Sequence, residues 1–174
     1  MSNNNTFTVK FRRRREGVTD YRARLRLLKS GKPRLVIRRS LKNISAQVIA
    51  YSGAGDKVIV SAHSKELEKF GWKANRGNIP AAYFVGLLAG KKAISKNVKE
   101  AVLDIGPAVS TKGSRIYAAL KGAVDAGLDV PHNKEALPDE KRIKGEHISL
   151  YLKNNINPAE TEKIFESVKA KIIG

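Results

Sequence analysis

The chain has 174 residues, 41% of them hydrophobic, and a formal net charge of +18 from 34 Lys and Arg against 16 Asp and Glu. That apolar content suffices for a real core, so the chain is not a disordered basic tail throughout, and the absence of cysteine excludes disulfides and thiolate metal sites. No apolar run reaches the roughly 18 residues of a membrane span, and the opening stretch SNNNTFTVK lacks a signal-peptide core, so a soluble intracellular protein is expected.

The charge is unevenly placed. Between Met1 and Lys42 there are fourteen Lys and Arg against Glu16 and Asp20, which puts +12 of the +18 in the first quarter of the chain. Such a block attracts a polyanion before any contact forms, with nucleic acid the first candidate and an acidic membrane surface the second. The arm over residues 1–16 has no hydrophobic periodicity and contains Arg12, Arg13, Arg14 and Arg15 in succession. Adjacent guanidinium groups repel one another, so the arm is expected to stay disordered until a partner neutralises it. A solvated tail is the bland alternative, but the charge runs on into folded-looking sequence.

Thr19 is placed to cap a helix whose first turn holds Asp20. Tyr21, Leu25 and Leu28 form an apolar stripe at helical spacing, flanked by Arg22, Arg26 and Lys29, and Gly31 stops the helix. Three runs with strand character follow, PRLVIRRS (Pro33 to Ser40), NISAQVIAY (Asn43 to Tyr51) and KVIVSAH (Lys57 to His63). The short connections between them predict an antiparallel meander. In the first strand Leu35 and Ile37 share one face and Arg34 and Arg38 the other. Core packing takes the former and leaves the arginines to solvent or RNA. On that reading, replacing Arg34 and Arg38 by Ala weakens binding and leaves thermal stability nearly unchanged.

Ser64 caps a short helix through Lys69, and FGWKANRGN (Phe70 to Asn78) is a loop with Trp72 as its packing anchor. Asn78 caps a long helix to about Lys96, whose Ala82, Gly86 and Gly90 form a ridge of small residues that admits a close neighbour. AVLDIG (Ala101 to Gly106) reads as a buried strand. Ser114 opens a helix with Ile116, Leu120 and Val124 on one face, ended by Gly127. Beyond Pro131, Asp139 and Glu140 open a helix carrying Ile143, His147, Leu150 and Tyr151, and Asn157–Pro158 starts another with Ile164, Val168 and Ile172 in register. The fold class is α/β, a mixed sheet with an antiparallel meander and helices packed on it. The expected organisation is a basic arm (1–16), an α/β core (17–130) expected to be the RNA-binding part, and a C-terminal helical extension (131–174).

Motifs for chemistry are weak. GLLAGKK (Gly86 to Lys92) has too few residues between its glycines for a P-loop and lies inside a helix. His63, His132 and His147 lack ligand spacing, so no metal and no cofactor are expected. A metal-dependent nuclease would need Asp104 to converge with residues such as Asp56, Asp125 and Asp129. Asp56 reads more simply as a turn residue, and Asp104 as holding a neighbouring loop or helix N-terminus.

Several stretches closely resemble one family. They are YRARLRLLKSGKPRLVIRRS (Tyr21 to Ser40), SAHSKEL (Ser61 to Leu67), FGWKANRGNIPAAYFVGLLAGKKA (Phe70 to Ala93), LDIG (Leu103 to Gly106), LKGAVDAGLDVPH (Leu120 to His132) and RIKGEHI (Arg142 to Ile148). In order and spacing they resemble the archaeal and eukaryotic branch of large-subunit ribosomal protein L-eighteen, a 5S rRNA-binding family, most nearly its archaeal form. The resemblance implies a compact α/β sandwich and a structural, non-enzymatic role: clasping 5S rRNA and docking it onto 23S rRNA in the central protuberance. Neighbours would include an L-five-type 5S binder, and the protein would be cytoplasmic and ribosome-bound, with no membrane partner.

Proteins grip A-form RNA through phosphates, 2′-hydroxyls and irregular loops. Candidate RNA contacts are therefore Arg12, Arg13, Arg14, Arg15, Arg22, Arg26, Lys29, Lys32, Arg34, Arg38, Arg39 and Lys42 on the backbone, with Asn43, Lys73, Asn75 and Arg76 beside them. Tight 5S binding without turnover, RNA cleavage, and equal affinity for any polyanion are the three outcomes that separate the readings.

Overall fold

A computed structural model describes residues 8–151 and 158–174. The first seven residues of the expected arm, and Asn157 at the expected start of the last helix, lie outside the described residues.

The alternating runs form the expected meander. Strands β1 (Arg34–Arg39), β2 (Ile44–Ser52) and β3 (Gly55–His63) are antiparallel neighbours, and β4 (Val102–Asp104) lies parallel to β1. The sheet order among the described residues is β3-β2-β1-β4. Because side chains alternate across a strand, Leu35, Ile37, Ala46, Val48, Val60 and Ala62 share one face, and all are buried. Arg34, Val36 and Arg38 take the other face, where Val36 is paired with Asp104 of β4.

Two helices cover the apolar face. Helix α3 (Ile79–Ser95) begins at Asn78, whose Oδ1 accepts the Ala81 N–H at 2.9 Å, as its cap position predicts. It lies over β2 and β3, while α4 (Arg115–Asp125) lies over β1. The two helices meet backbone to backbone. A methyl group on Gly86 would sit 1.8 Å from the Ala119 carbonyl oxygen, and one on Gly122 would sit 2.0 Å from that of Tyr83. Gly90 continues the ridge, its added carbon 2.7 Å from Ala126 Cβ. Ser114 holds the expected cap position of α4, but its hydroxyl makes no capping bond.

The C-terminal helices share this core. Helices α5 (Glu140–Lys144) and α7 (Pro158–Ile173) pack on α3. Phe165 lies 5.6 Å from the Tyr83 ring and 4.7 Å from that of Phe84. The buried stripe is Phe165, Val168 and Ile172, with Ile164 41% exposed at its shoulder rather than in it. Lys91 Nζ donates to the carbonyls of Ile172 (2.8 Å) and Ile173 (2.7 Å), closing the end of α7. The single helix expected from Asp139 to Tyr151 is two. Gly145, at φ +89°, ends α5, and α6 (Glu146–Tyr151) begins again.

The N-terminal elements differ most from expectation. Arg12–Arg15 forms one helical turn, α1, where a disordered arm was expected. Phe11 packs on Tyr21 at 5.4 Å between rings, and the Val18 N–H donates back to the Arg13 carbonyl at 3.0 Å. Helix α2 (Tyr21–Leu28) is capped by Asp20, not Thr19: the carboxylate accepts the N–H groups of Arg22 (2.9 Å) and Ala23 (3.1 Å). These two bonds hold the Asp20 carboxyl below the usual carboxylate range. The expected apolar stripe is not buried. No residue of α2 is fully covered, and Leu25 is 58% exposed.

His63, not Ser64, caps the 3₁₀ helix Ser64–Phe70. Its Nδ1 accepts the Lys65 N–H at 3.1 Å, and its own N–H donates to Glu66 at 2.9 Å. Ser64 is buried instead, accepting the Ile44 N–H at 3.2 Å.

The glycine contact gives a direct test. Gly86→Ala or Gly122→Ala should cost about 3 kcal/mol by overpacking against backbone that cannot move aside. Gly53→Ala, in open space, should change stability by less than about 0.5 kcal/mol. Urea unfolding followed by far-ultraviolet circular dichroism distinguishes the two.

Candidate nucleic-acid interface

The arginine-bearing face of β1 holds a chain of ion pairs. Asp104 on β4 lies between Arg34 and Arg38, accepting from Arg34 at 2.8 Å and from Arg38 at 2.9 Å, and it also accepts the Gly106 N–H at 2.9 Å. Arg34 reaches on to Asp56 at 2.8 Å, and Asp56 takes Arg24 of α2 at 3.0 Å. Burial pushes the Asp104 carboxyl up, but the hydrogen bonds and charges of Arg38 and Arg34 outweigh it and hold the group below the usual range.

Arg34 is only 3% exposed. The expectation that this face is left to solvent or RNA is therefore overturned at Arg34, whose guanidinium is consumed inside the protein. Its removal together with Arg38 would strand the buried carboxylate of Asp104, so Arg34→Ala with Arg38→Ala cannot leave stability unchanged. Arg38 also donates to the Asp104 carbonyl at 2.8 Å, yet 44% of its side chain stays exposed, so it retains an outward surface.

The remaining candidates sort by what they already hold. Arg14, Arg15, Arg22, Arg26, Lys29, Arg39, Lys42 and Lys73 are exposed and form no ion pair among the described residues. Arg12 lies 3.7 Å from Glu16, and Arg13 donates to the Thr19 hydroxyl at 2.9 Å, both on the surface. Lys32 pairs with Glu100 at 2.5 Å, which raises the lysine and lowers the glutamate from their ordinary values, and Arg76 pairs with Glu68.

Two loops bring the second group of cations together. The β1–β2 turn is pinned by Ser40, whose N–H donates to the Asn43 carbonyl at 2.8 Å. It abuts Gly77 of the loop before α3, where an added carbon would lie 2.9 Å from the Leu41 carbonyl. Arg115, at the start of α4, bridges the two by donating to the carbonyls of Ser40 (3.3 Å) and Gly77 (2.8 Å). Sequence reasoning missed Arg115. Its only signal was a basic residue just after the expected cap Ser114.

Lys42, Lys73, Asn75 and Arg76 thereby line one shallow hollow of about 640 Å³. Asn43 and Asn75 use their side-chain oxygens internally, accepting from the Ser64 hydroxyl at 3.1 Å and the Gly77 N–H at 2.7 Å. Their amide NH₂ groups make no hydrogen bond among the described residues. Trp72 is the expected anchor, 6% exposed and donating to the Asn75 carbonyl at 3.2 Å.

Comparison with known proteins decides the family. Residues 5–101 and 94–133 match the family described as "Ribosomal large subunit proteins 60S L5, and 50S L18". Large ribosomal subunit protein uL18 of the archaeon Methanococcus maripaludis is 50% identical over 191 aligned residues, covering 99% of both chains. The chain belongs to the L18 family. Its counterpart from Korarchaeum cryptofilum is 51% identical, covering 99% of this chain and 97% of the relative. Members of the L18 family are structural constituents of the large ribosomal subunit, not enzymes, and this chain is one of them. Its place is accordingly on the ribosome, and its partners are rRNA and other ribosomal proteins. The nuclease reading ends here, since Asp104 is taken up by two arginines. No helix among the described residues is long and apolar enough to cross a membrane.

Asp104→Asn should cost about 3 kcal/mol, because it leaves Arg34 buried with a weakened partner. The native carboxyl titrates below its unfolded value of about 3.9, so its contribution is fully present above that value and is lost as pH falls through the lowered native one. Thermal melts between neutral pH and about pH 2 should therefore show the parent losing more stability below about pH 4 than the Asn variant.

Proposed function

We propose that the chain binds 5S rRNA and helps attach it to 23S rRNA in the central protuberance, beside an L-five-type 5S-binding protein. The observation that carries this reading is that eight of the candidate cations are exposed and form no ion pair among the described residues, divided between α1–α2 and the β1–β2 turn with its neighbouring loop. Cations already neutralised by carboxylates gain little from a phosphate, whereas these can release counterions from one. In this reading the core over 17–130 supplies the braced loops, the arm over 1–16 adds reach, and the helices over 131–174 support α3 from behind.

The reading is supported further by the family's place in the large subunit and by the arrangement of the free groups. Arginines lie on exposed helical surface, suited to bidentate phosphate contact. The amide groups of Asn43 and Asn75 lie near Lys42 and Lys73 and can reach 2′-hydroxyls or base edges. Arg34 has no part in it.

Binding to 5S rRNA, a length-matched tRNA and a random duplex, with Mg²⁺ present, tests the proposal. The 5S rRNA should bind about 100-fold more tightly than either control, and its affinity should fall by roughly 10³–10⁵ between 50 and 200 mM salt if ~6–10 phosphates are neutralised. Arg22→Ala with Arg26→Ala should weaken binding, flatten the salt slope by about one per lost phosphate contact and leave the melting temperature unchanged. Equal affinity for all three RNAs would reduce the surface to a general polyanion grip.

A further inference from the structure

Strand β3 is the long outer strand of the sheet, and an outer strand presents unpaired backbone groups on which another strand can form. Its middle is rich in β-branched residues, Val58, Ile59 and Val60, with Val58 49% exposed. This composition favours pairing with a further strand. The opposite edge is less available: β4 has three residues, and just before it the Ala101 N–H donates to the Asp129 carbonyl at 2.9 Å.

Two lysines of α3 reach over the β3 edge. Lys96 Nζ donates to the Ile59 carbonyl at 2.6 Å, and Lys92 Nζ donates to the Ser61 carbonyl at 3.0 Å. Glu66 holds Lys92 there at 2.6 Å. Lysines one helical turn apart, at i and i+4, thus meet carbonyls two residues apart on β3. The register of β3 on β2 shifts between Val48 and Ile49 and leaves Ile59 without a partner on β2, and its carbonyl and that of Ser61 are the ones the two ammonium groups reach. The ammonium groups occupy the acceptors that an added strand needs and bring positive charge to meet an identical edge.

We propose that Lys92 and Lys96 close the β3 edge against strand addition by a second copy of this chain, keeping the free protein monomeric. A second copy is the fitting occupant because two identical edges pair antiparallel about a two-fold axis, each supplying what the other lacks. The device acts independently of RNA binding and can be tested without RNA.

Sedimentation equilibrium of Lys92→Ala with Lys96→Ala tests it, against Lys99→Ala with Lys134→Ala, which removes the same charge elsewhere. The edge variant should self-associate at least about tenfold more strongly than the charge control. Lys96→Ala alone, which spares the Lys92–Glu66 pair, should shift the same way by less and serves if the double variant fails to fold. Adding Ser61→Pro, which removes an outward N–H on an edge strand that tolerates proline, should restore the monomer. Edge variants that remain as monomeric as the control overturn the proposal. So does association that Ser61→Pro leaves intact, because the contact would then lie elsewhere.

Discussion

The contact between α3 and α4 is the constraint on which the rest of the structure depends. Packed helices ordinarily lie 8–10 Å apart, but Gly86 and Gly122 leave no room for even a methyl group between one helix and the backbone of the other. Drawn together in this way, both helices fit over one face of a narrow sheet, α3 above β2 and β3 and α4 above β1. The start of α4 then falls beside the β1–β2 turn, where Arg115 fastens that turn to the loop preceding α3. The cations around that junction owe their placement to two glycines that carry no charge.

The other sheet face is organised by electrostatics. A buried guanidinium is costly unless its charge is met, and Arg34 meets two carboxylates, one from β3 and one from β4. These strands lie on opposite sides of the β2–β1 pair, so one side chain ties the two edges of the sheet together. Three of the basic residues in the first quarter of the chain, Arg24, Arg34 and Arg38, are engaged this way. The field offered to a polyanion is correspondingly weaker than composition alone suggests.

Much of the fold was legible because its signals are local. Alternation over Arg34–Arg39 and Ile44–Ser52 marked the strands, and Asn78 before an apolar run marked α3. The small residues at Gly86 and Gly90 announced a close neighbour, though not which one. Arg34 and Arg38 looked alike because each sits on the same face of the same strand. What separates them is Asp56, which reaches Arg34 from β3, on the far side of β2 in the sheet. The break at Gly145 was readable as a glycine after a basic helical turn, and the His63 cap from Glu66 three residues on. The apolar stripe of α2 misled because periodicity shows which residues could be buried together, not that anything covers them. The free cations of the candidate interface were visible in the sequence, but their pairing state depended on distant acidic residues such as Glu100 and Glu68.

Helix α2 buries no residue fully, and a long-range bond that ties its side chains to the sheet is the half-exposed pair of Arg24 and Asp56. Pairs of this kind weaken as ions accumulate. Ionic strength therefore acts twice on this helix, once on the attraction between its outer arginines and a polyanion and once on the seat from which they are presented. A polyanion that adds contacts to the outer face of α2 also holds the helix in place, so the mechanical rigidity of the N-terminal region belongs partly to the assembled particle.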